Sequence, residues 1–126
     1  MSFLEQKIEK QRKGNQAANI FHKAPNFFNC AQSILKTFQK EFKVEEIQIK
    51  DFKRYGGGRA QDGYCGALFA GMQLLKDQPE LQNKLEKHFT STTGSPKCSD
   101  IRGKRKLPCR KLVELTANLV EELQDK

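Results

Sequence analysis

Tryptophan is absent from this 126-residue sequence, and its aromatic residues are nine Phe and two Tyr. A phenylalanine-rich set of this kind favours core packing over the stacking of nucleic-acid bases. No apolar run approaches the ~20 residues that a membrane-spanning helix needs. The N-terminal segment is charged and lacks the apolar stretch of a secretory signal. We therefore expect a cytoplasmic protein that does not insert into membranes.

Recognisable hydrolase patterns are also missing, because no Ser/His/Asp arrangement and no pair of carboxylates stands out. The sequence has four cysteines and no Cys-x-x-Cys pair, which excludes compact zinc-finger and ferredoxin patterns. In a reducing compartment, cysteines bind metals or do chemistry more often than they form permanent disulfides. The cysteines are therefore the first candidates for function.

Apolar residues recur at helical spacing through most of the chain, separated by Gly and Pro. We predict an all-α protein, a compact bundle of about five or six helices joined by short loops. Residues 1–24 are predicted to be an N-terminal helical extension, and residues 25–126 to form the main domain. The segment 44–55 fits a short helix better than a strand because no partner strand is evident. In the main domain the predicted helices cover residues 26–43, 44–55, 63–76, 79–89 and 108–124, with a short turn around Cys98 and a loop over 90–95. The extension is predicted to hold helical segments over 2–13 and 15–23.

Each cysteine falls in the first turn of a predicted helix, namely Cys30, Cys65, Cys98 and Cys109. The predicted opening residues are Asn26, Asp62, Ser95 and Pro108. A helix start presents unpaired N–H groups and the positive end of the macrodipole, which favour thiolate over thiol. A bundle can bring such starts together at one end. Four adjacent thiolates would repel, so either a metal neutralises them or they exist partly as thiols or reversible disulfides. Buried, space-filling cysteines are the structural alternative.

Small residues follow Cys65 in a helical stripe, Gly66, Ala67, Ala70 and Gly71. A glycine inside a helix costs ~1 kcal/mol relative to alanine. This pattern indicates that another backbone or a cofactor passes close to Gly66 and Ala67, with tight helix packing as the alternative. The glycines at 56–58 are expected to end a helix and let the chain approach the cysteines, since they lack the Lys-Ser/Thr of a phosphate-binding loop.

The formal net charge is +8, and it is concentrated near two of the cysteines. Between Lys97 and Lys111 there are seven basic residues and one acid. We expect Arg102, Lys104 and Arg105 to offset negative charge at the thiolates. Nucleic-acid binding is the weaker interpretation, because the run is short and no motif that reads DNA or RNA surrounds it.

The cysteines and their neighbours carry a family resemblance. The segments that carry it are Asn29-Cys30-Ala31-Gln32, Cys65-Gly66-Ala67, Lys97-Cys98 with Arg102-Gly103, and Cys109 at the start of the last helix. This order resembles the family named for its C-GCAxxG-C-C motif, small bacterial and archaeal proteins to which a redox activity is ascribed. Phe27-Phe28 replaces the usual Gly-Tyr, and Ala70-Gly71 reverses the usual small pair. The resemblance implies a redox or metal role without an established reaction.

The leading hypothesis is a redox protein in which Cys30, Cys65, Cys98 and Cys109 ligate an iron–sulfur cluster for electron transfer. Gly66 and Ala67 would line the cofactor. The first alternative is a cofactor-free thiol–disulfide or sulfur-transfer protein, and the second is a zinc-binding interaction module. A redox partner protein is expected but not identified by the sequence. Whether the protein is an enzyme and whether two chains form a homodimer both stay open.

Overall fold

The computed structural model describes residues 12–24, 27–55, 59–101 and 107–124. Within these ranges the protein is all-α, as predicted, and holds eight α-helical segments where the sequence indicated five or six. They are α1 (Arg12–Ile20), α2 (Cys30–Thr37), α3 (Gln39–Phe42), α4 (Glu46–Asp51), α5 (Gly66–Leu74), α6 (Pro79–Thr93), α7 (Cys98–Asp100) and α8 (Cys109–Gln124). Two 3₁₀ turns, Phe52–Tyr55 and Gln61–Gly63, complete the described helical structure. None of the described helices is both long enough and apolar enough to cross a bilayer.

The first helix differs from the prediction at Gly14. We expected a break there, but α1 runs through Gly14, whose N–H donates to Asn118 Oδ1 at 3.1 Å. A Cβ at this position would overlap the Asn118 side chain, so the glycine permits close packing of α1 on α8. The expected helix over 2–13 lies almost wholly outside the described residues. The division of the chain at residue 24 stays a prediction.

The start of α2 lies three residues later than predicted. Asn29, not Asn26, is the N-cap, and it forms a capping box in which its Oδ1 accepts from Gln32 N at 2.8 Å and Gln32 Oε1 accepts from Asn29 N at 3.1 Å. Phe27, which the predicted helix over 26–43 included, therefore precedes the helix and is 64% exposed. The helical stretch ends near Lys43 as predicted, at a residue with φ of 53°.

Two further boundaries were wrong, whereas the remaining ones agree closely. Asp62 does not cap α5, because it lies in a 3₁₀ turn with φ of 58°, and Cys65 is the N-cap instead. Helix α6 continues to Thr93 through part of the predicted loop over 90–95, and Gly94 ends it at φ of 94°. The segment 44–55 is helical, as predicted, and α8 begins directly after Pro108 and ends at Gln124.

Contacts between helix ends fix the direction of the main helices. Lys13 at the start of α1 donates to the carbonyl of Thr37 at the end of α2, 3.2 Å away, while Phe21 and Phe28 pair where the two helices are joined. Helix α1 therefore runs antiparallel to α2. It also runs antiparallel to α8, since Gly14 contacts Asn118 whereas Asn19 accepts from Arg110 at 3.4 Å. It follows that α2 and α8 start at the same end of the bundle.

The core lies between α2, α5, α6 and α8 and is built from aliphatic residues and phenylalanine. Gly71 lets α5 approach its neighbours, because a Cβ there would lie 2.9 Å from Leu85 Cδ2 and 3.0 Å from Thr116 Cγ2. Helix packing is thus the reason for this glycine. The largest fully buried apolar side chains include Phe89, Ile34, Leu35, Ile49, Leu68, Leu75, Leu85, Ile101, Val113 and Val120.

Candidate thiol site at the helix starts

All four cysteines stand at helix starts, which confirms the placement predicted from the sequence. Cys30, Cys98 and Cys109 are the first residues of α2, α7 and α8, and Cys65 is the N-cap of α5. At these positions a sulfur lies beside N–H groups that have no intrahelical acceptor. The local sequence therefore places every thiol beside a helix start, whose N–H groups act in favour of negative charge on sulfur.

Cys65 and Cys98 are held near one another by the chain segments that precede them. Tyr64 and Lys97 form an isolated antiparallel bridge, and Cys65 N donates to Pro96 O at 2.8 Å. Each cysteine is the residue that directly follows a member of this bridge. The start of α7 is therefore fixed beside the start of α5.

Cys30 reaches the same place from α2. A Cβ added to Gly66 would lie 2.6 Å from Cys30 Sγ and 2.7 Å from the carbonyl oxygen of Tyr55. Glycine at this position thus admits both a cysteine sulfur and a second backbone. The prediction that another backbone passes close to Gly66 is confirmed, and Ala67 beside it is fully buried. The glycines at 56–58, which follow Tyr55, lie outside the described residues.

The Tyr55 backbone is held at Gly66 by the capping residue of α2. Asn29 Nδ2 donates to Lys53 O at 2.8 Å and to Phe52 O at 3.4 Å, which ties the 3₁₀ turn to the start of α2. Gln32 Nε2 extends this connection by donating to Ile49 O at 3.0 Å. The sequence analysis included Asn29 and Gln32 only in the family pattern and did not predict these hydrogen bonds. Asn-x-x-Gln at 29–32 nevertheless has the spacing of a capping box.

The electrostatics of Cys65 reflect the crowding of these thiols. Burial first, and then the neighbouring Cys30 and Cys98, raise the pKa of the Cys65 thiol to about 12. The N–H groups of Ala67 and Leu68 act on this pKa in the opposite direction, although no capping hydrogen bond forms. Loss of hydration thus outweighs the helix start for Cys65, which is a neutral thiol at physiological pH.

Tyr64, the residue before Cys65, donates its hydroxyl to Glu86 Oε1 at 2.5 Å. This hydrogen bond is the main reason that the pKa of Tyr64 rises to about 12. The contact anchors the bridge segment to α6. Sequence patterns gave no sign of it, because the two residues lie 22 positions apart.

Cys109 differs from the other three in its exposure. Cys30, Cys65 and Cys98 are buried, whereas Cys109 is half-buried. The direction of α8 puts Cys109 at the same end of the bundle. As the side chains stand, the described residues contain no group of three or more Cys, His, Asp or Glu arranged to hold a metal ion. The assignment of the four cysteines as metal ligands therefore stays a prediction.

The predicted charge compensation cannot be located, since Arg102, Lys104 and Arg105 lie outside the described residues. Within those residues the cations next to the cysteines in sequence are Lys97 and Arg110, and both are exposed.

The fold and the site define a small all-α protein with cysteines at four helix starts. The family model described as "Putative redox-active protein (C_GCAxxG_C_C)" matches residues 28–123. The chain belongs to this family, as its cysteine order indicated. No curated protein and no solved structure shows significant similarity to it.

Proposed function

We propose that the protein is a redox carrier whose site is formed by Cys30, Cys65, Cys98 and Cys109 at one end of the bundle. The observation that carries this proposal is the placement of Cys65 near two other cysteines, since Cys30 Sγ lies beside Gly66 and Cys65 N donates to Pro96 O, two residues before Cys98. Membership of a family described as redox-active supports the same class of function. The cytoplasm, where thiols stay reduced, is the compartment we propose.

An iron–sulfur cluster is the leading proposal for the cofactor. Cysteine thiolates are the usual cluster ligands, and all four cysteines of this chain start helices whose dipoles stabilise negative charge. Gly66 leaves space beside Cys30 Sγ where a Cβ would intrude. Rotation about the Cα–Cβ bonds between staggered rotamers can redirect the sulfurs. When bound, such a cluster supplies one-electron transfer, while Cys30, Cys65, Cys98 and Cys109 hold it and the buried core excludes water.

Reversible dithiol–disulfide chemistry is the second candidate. It is favoured by the absence, among the described residues, of three ligands aimed at one metal position. In this scheme Cys65 and a neighbouring cysteine each lose a proton and together lose two electrons, which forms one S–S bond. The acceptor is a disulfide of a partner protein, which takes up the two electrons and two protons and becomes two thiols. A mixed disulfide between the proteins is the intermediate.

Metal and sulfide analysis of anaerobically purified protein separates these candidates. Brown protein with iron and inorganic sulfide in matching amounts supports the cluster. Metal-free, colourless protein whose thiol count falls on mild oxidation supports the dithiol, and one zinc per chain with no redox change supports an interaction module.

Single Cys→Ser variants test each residue of the site. If a cluster is bound, each of the four substitutions is expected to abolish or strongly reduce the iron and sulfide content. Ala31→Ser is a matched control, because it introduces a hydroxyl beside Cys30 at a buried position without removing a sulfur. Full iron and sulfide in a Cys→Ser variant would remove that residue from the ligand set.

A further inference from the structure

Exposed cations without a carboxylate partner among the described residues occur at both ends of the bundle, and four of them lie around the cysteine-bearing helix starts. At the other end, Lys13 Nζ pairs with Glu41 at 3.0 Å and Lys36 Nζ with Glu46 at 2.9 Å. Around the cysteine-bearing helix starts there are four exposed cations that form no ion pair with any described residue. We call this set the basic rim, and it consists of Lys23, Lys53, Lys97 and Arg110.

Each member of the basic rim lies near one of the helix starts, either through a backbone hydrogen bond or through its position in the sequence. The carbonyl of Lys53 accepts from Asn29, the N-cap of α2, and the carbonyl of Lys23 accepts from Phe27 N at 2.8 Å. Lys97 and Arg110 are the direct neighbours of Cys98 and Cys109 in sequence. The rim therefore lies at the end of the bundle at which the cysteine-bearing helices start.

Carboxylates at this end leave that positive charge largely uncompensated. Asp51 is engaged by Arg54 at 2.8 Å, which adds a cation of its own. Asp100 is half-buried and accepts from Ser95 Oγ at 2.9 Å, and Asp62 is exposed near Tyr64. Exposed cations of this kind raise the rate at which a negatively charged protein reaches the surface.

An exposed phenylalanine lies within the basic rim. Phe27 is 64% exposed and has φ of 50°, a left-handed conformation that is costly for a bulky residue. It stands three residues before Cys30. Phenylalanine is enriched in protein–protein interfaces, where an apolar centre is surrounded by polar and charged residues. An exposed phenyl ring close to exposed cations matches a protein surface better than it matches a small anion.

We propose that the basic rim and Phe27 form the docking surface for an acidic protein partner. This inference rests on the proposed function, because the partner is the protein with which the cysteines exchange electrons or disulfides. Its surface would present carboxylates to the rim and an apolar contact to Phe27. Docking in this orientation brings the partner to the end of the bundle at which all four cysteine-bearing helices start.

The test uses ¹⁵N-labelled protein and two purified electron carriers as probes, an acidic one of the flavodoxin type and a basic one of the cytochrome c type. At low salt the acidic carrier is expected to shift the amide signals of Lys23, Phe27, Lys53, Lys97 and Arg110, and the shifts should disappear as salt is added. The basic carrier is expected to leave these signals unchanged. Equal shifts with both carriers, or shifts confined to the Lys13 and Lys36 end, would overturn the proposal, as would no binding of the acidic carrier.

Charge reversal gives the second readout. Lys23→Glu with Lys53→Glu is expected to weaken binding of the acidic carrier by roughly threefold to tenfold, since each exposed charge pair contributes little alone. Lys40→Glu with Lys76→Glu makes the same change in net charge at the other end and should leave the affinity almost unaltered. An equal loss in both double variants would show attraction by net charge alone and would refute a defined docking surface.

The apolar contact has its own matched pair of variants. Phe27→Ala should weaken binding, whereas Ile47→Ala, which truncates the other large exposed apolar side chain at 72% exposure, should not. Both residues are exposed, so neither variant is expected to unfold the protein. The Cys→Ser variants separate this inference from the proposed function, because they should lose the redox signal and still dock. An intact redox signal without docking would refute the inference alone.

Discussion

The two ends of the helical bundle differ in their ion pairs and in the burial of their side chains. At the end where α2 finishes, two cations pair with carboxylates, Lys13 with Glu41 and Lys36 with Glu46. At the end where α2 starts, three of the four thiols are buried, a second backbone passes next to Gly66, and the four cations of the basic rim lack acidic partners among the described residues. Exposed ion pairs of the first kind contribute slightly to the stability of the fold. The second arrangement brings thiols and positive charge to the same end of the bundle.

The largest expected effect concerns the reactivity of two thiols at the same end. In metal-free, reduced protein at neutral pH, Cys65 should be alkylated by iodoacetamide at least ~100-fold more slowly than Cys109, because only thiolate reacts and the pKa of Cys65 is about 12. Peptide mass spectrometry after timed quenching gives the two rates. In urea the rates should become similar, and similar rates in the folded protein would contradict the burial of Cys65.

The same thiol affects stability in alkali. Because folding raises the pKa of Cys65 from the ordinary 9.0, the neutral thiol contributes stability that is fully present below about pH 9. That contribution is lost as the pH rises towards 12, since the unfolded chain ionises first. Cys65→Ser should therefore remove part of the alkaline loss of stability measured by urea unfolding between pH 8 and pH 11.

Two glycines of α5 sharpen the contrast between the cysteine end and the helical core. Gly66→Ala should destabilise the protein by roughly 1–3 kcal/mol, because the new Cβ meets the Tyr55 carbonyl, which belongs to the backbone and cannot move aside freely. Gly71→Ala should cost less than Gly66→Ala, since its new Cβ meets side-chain methyl groups in place of a backbone oxygen and the helix gains propensity. Urea unfolding measures both, and equal costs would show that the backbone approach at Gly66 is unimportant.

Removing the side chain of Asn29, which caps α2 and holds the Tyr55 backbone at Gly66, is expected to cost slightly less stability. Asn29→Ala removes the capping hydrogen bond to Gln32 N and the contacts to Lys53 O and Phe52 O, and should cost about 1–2 kcal/mol. Asn83→Ala, at an exposed position within α6, is the matched control and should stay within ~0.5 kcal/mol of the wild type. A loss for Asn29→Ala as small as that of the control would mean that solvent replaces the cap without cost.

The smallest effect is expected at the other end of the bundle. Hydrogen bonds from Gln39 and then from Lys36 lower the pKa of Glu46 from its usual 4.5. The ionised carboxylate thus contributes stability above pH 4.5, and that contribution is lost as the pH falls through the lowered value. Glu46→Gln should flatten the acid dependence of unfolding slightly, whereas Glu45→Gln, its exposed neighbour, should not. An unchanged acid profile in Glu46→Gln would show that solvent screens this pair completely.

Much of the fold follows from local patterns in the sequence. The all-α class and the final helix to Gln124 come from apolar spacing, and the position of each cysteine at a helix start was confirmed. Boundaries failed where tertiary contacts decide the outcome. Gly14 was expected to end a helix but instead admits the Asn118 side chain, a partner 104 residues away. Asp62 has the composition of a cap, yet the bridge between Tyr64 and Lys97 sets the start of α5.

The site could be predicted in its residues but not in its arrangement. Spacing and family pattern identified Cys30, Cys65, Cys98 and Cys109 without indicating which sulfurs would be neighbours. That information comes from the Cys65–Pro96 hydrogen bond and from the contact of Cys30 with Gly66, both formed between distant segments. The greater exposure of Cys109 likewise depends on packing that no local pattern encodes.

The account depends most directly on the proximity of Cys65 to Cys30 and Cys98. Mild oxidation of metal-free folded protein, followed by digestion without reduction and peptide mass spectrometry, measures that proximity. We expect a disulfide within one chain that joins Cys65 to Cys30 or to Cys98. Products in which Cys65 keeps its thiol while other cysteines link two chains would contradict a shared site at this end of the bundle.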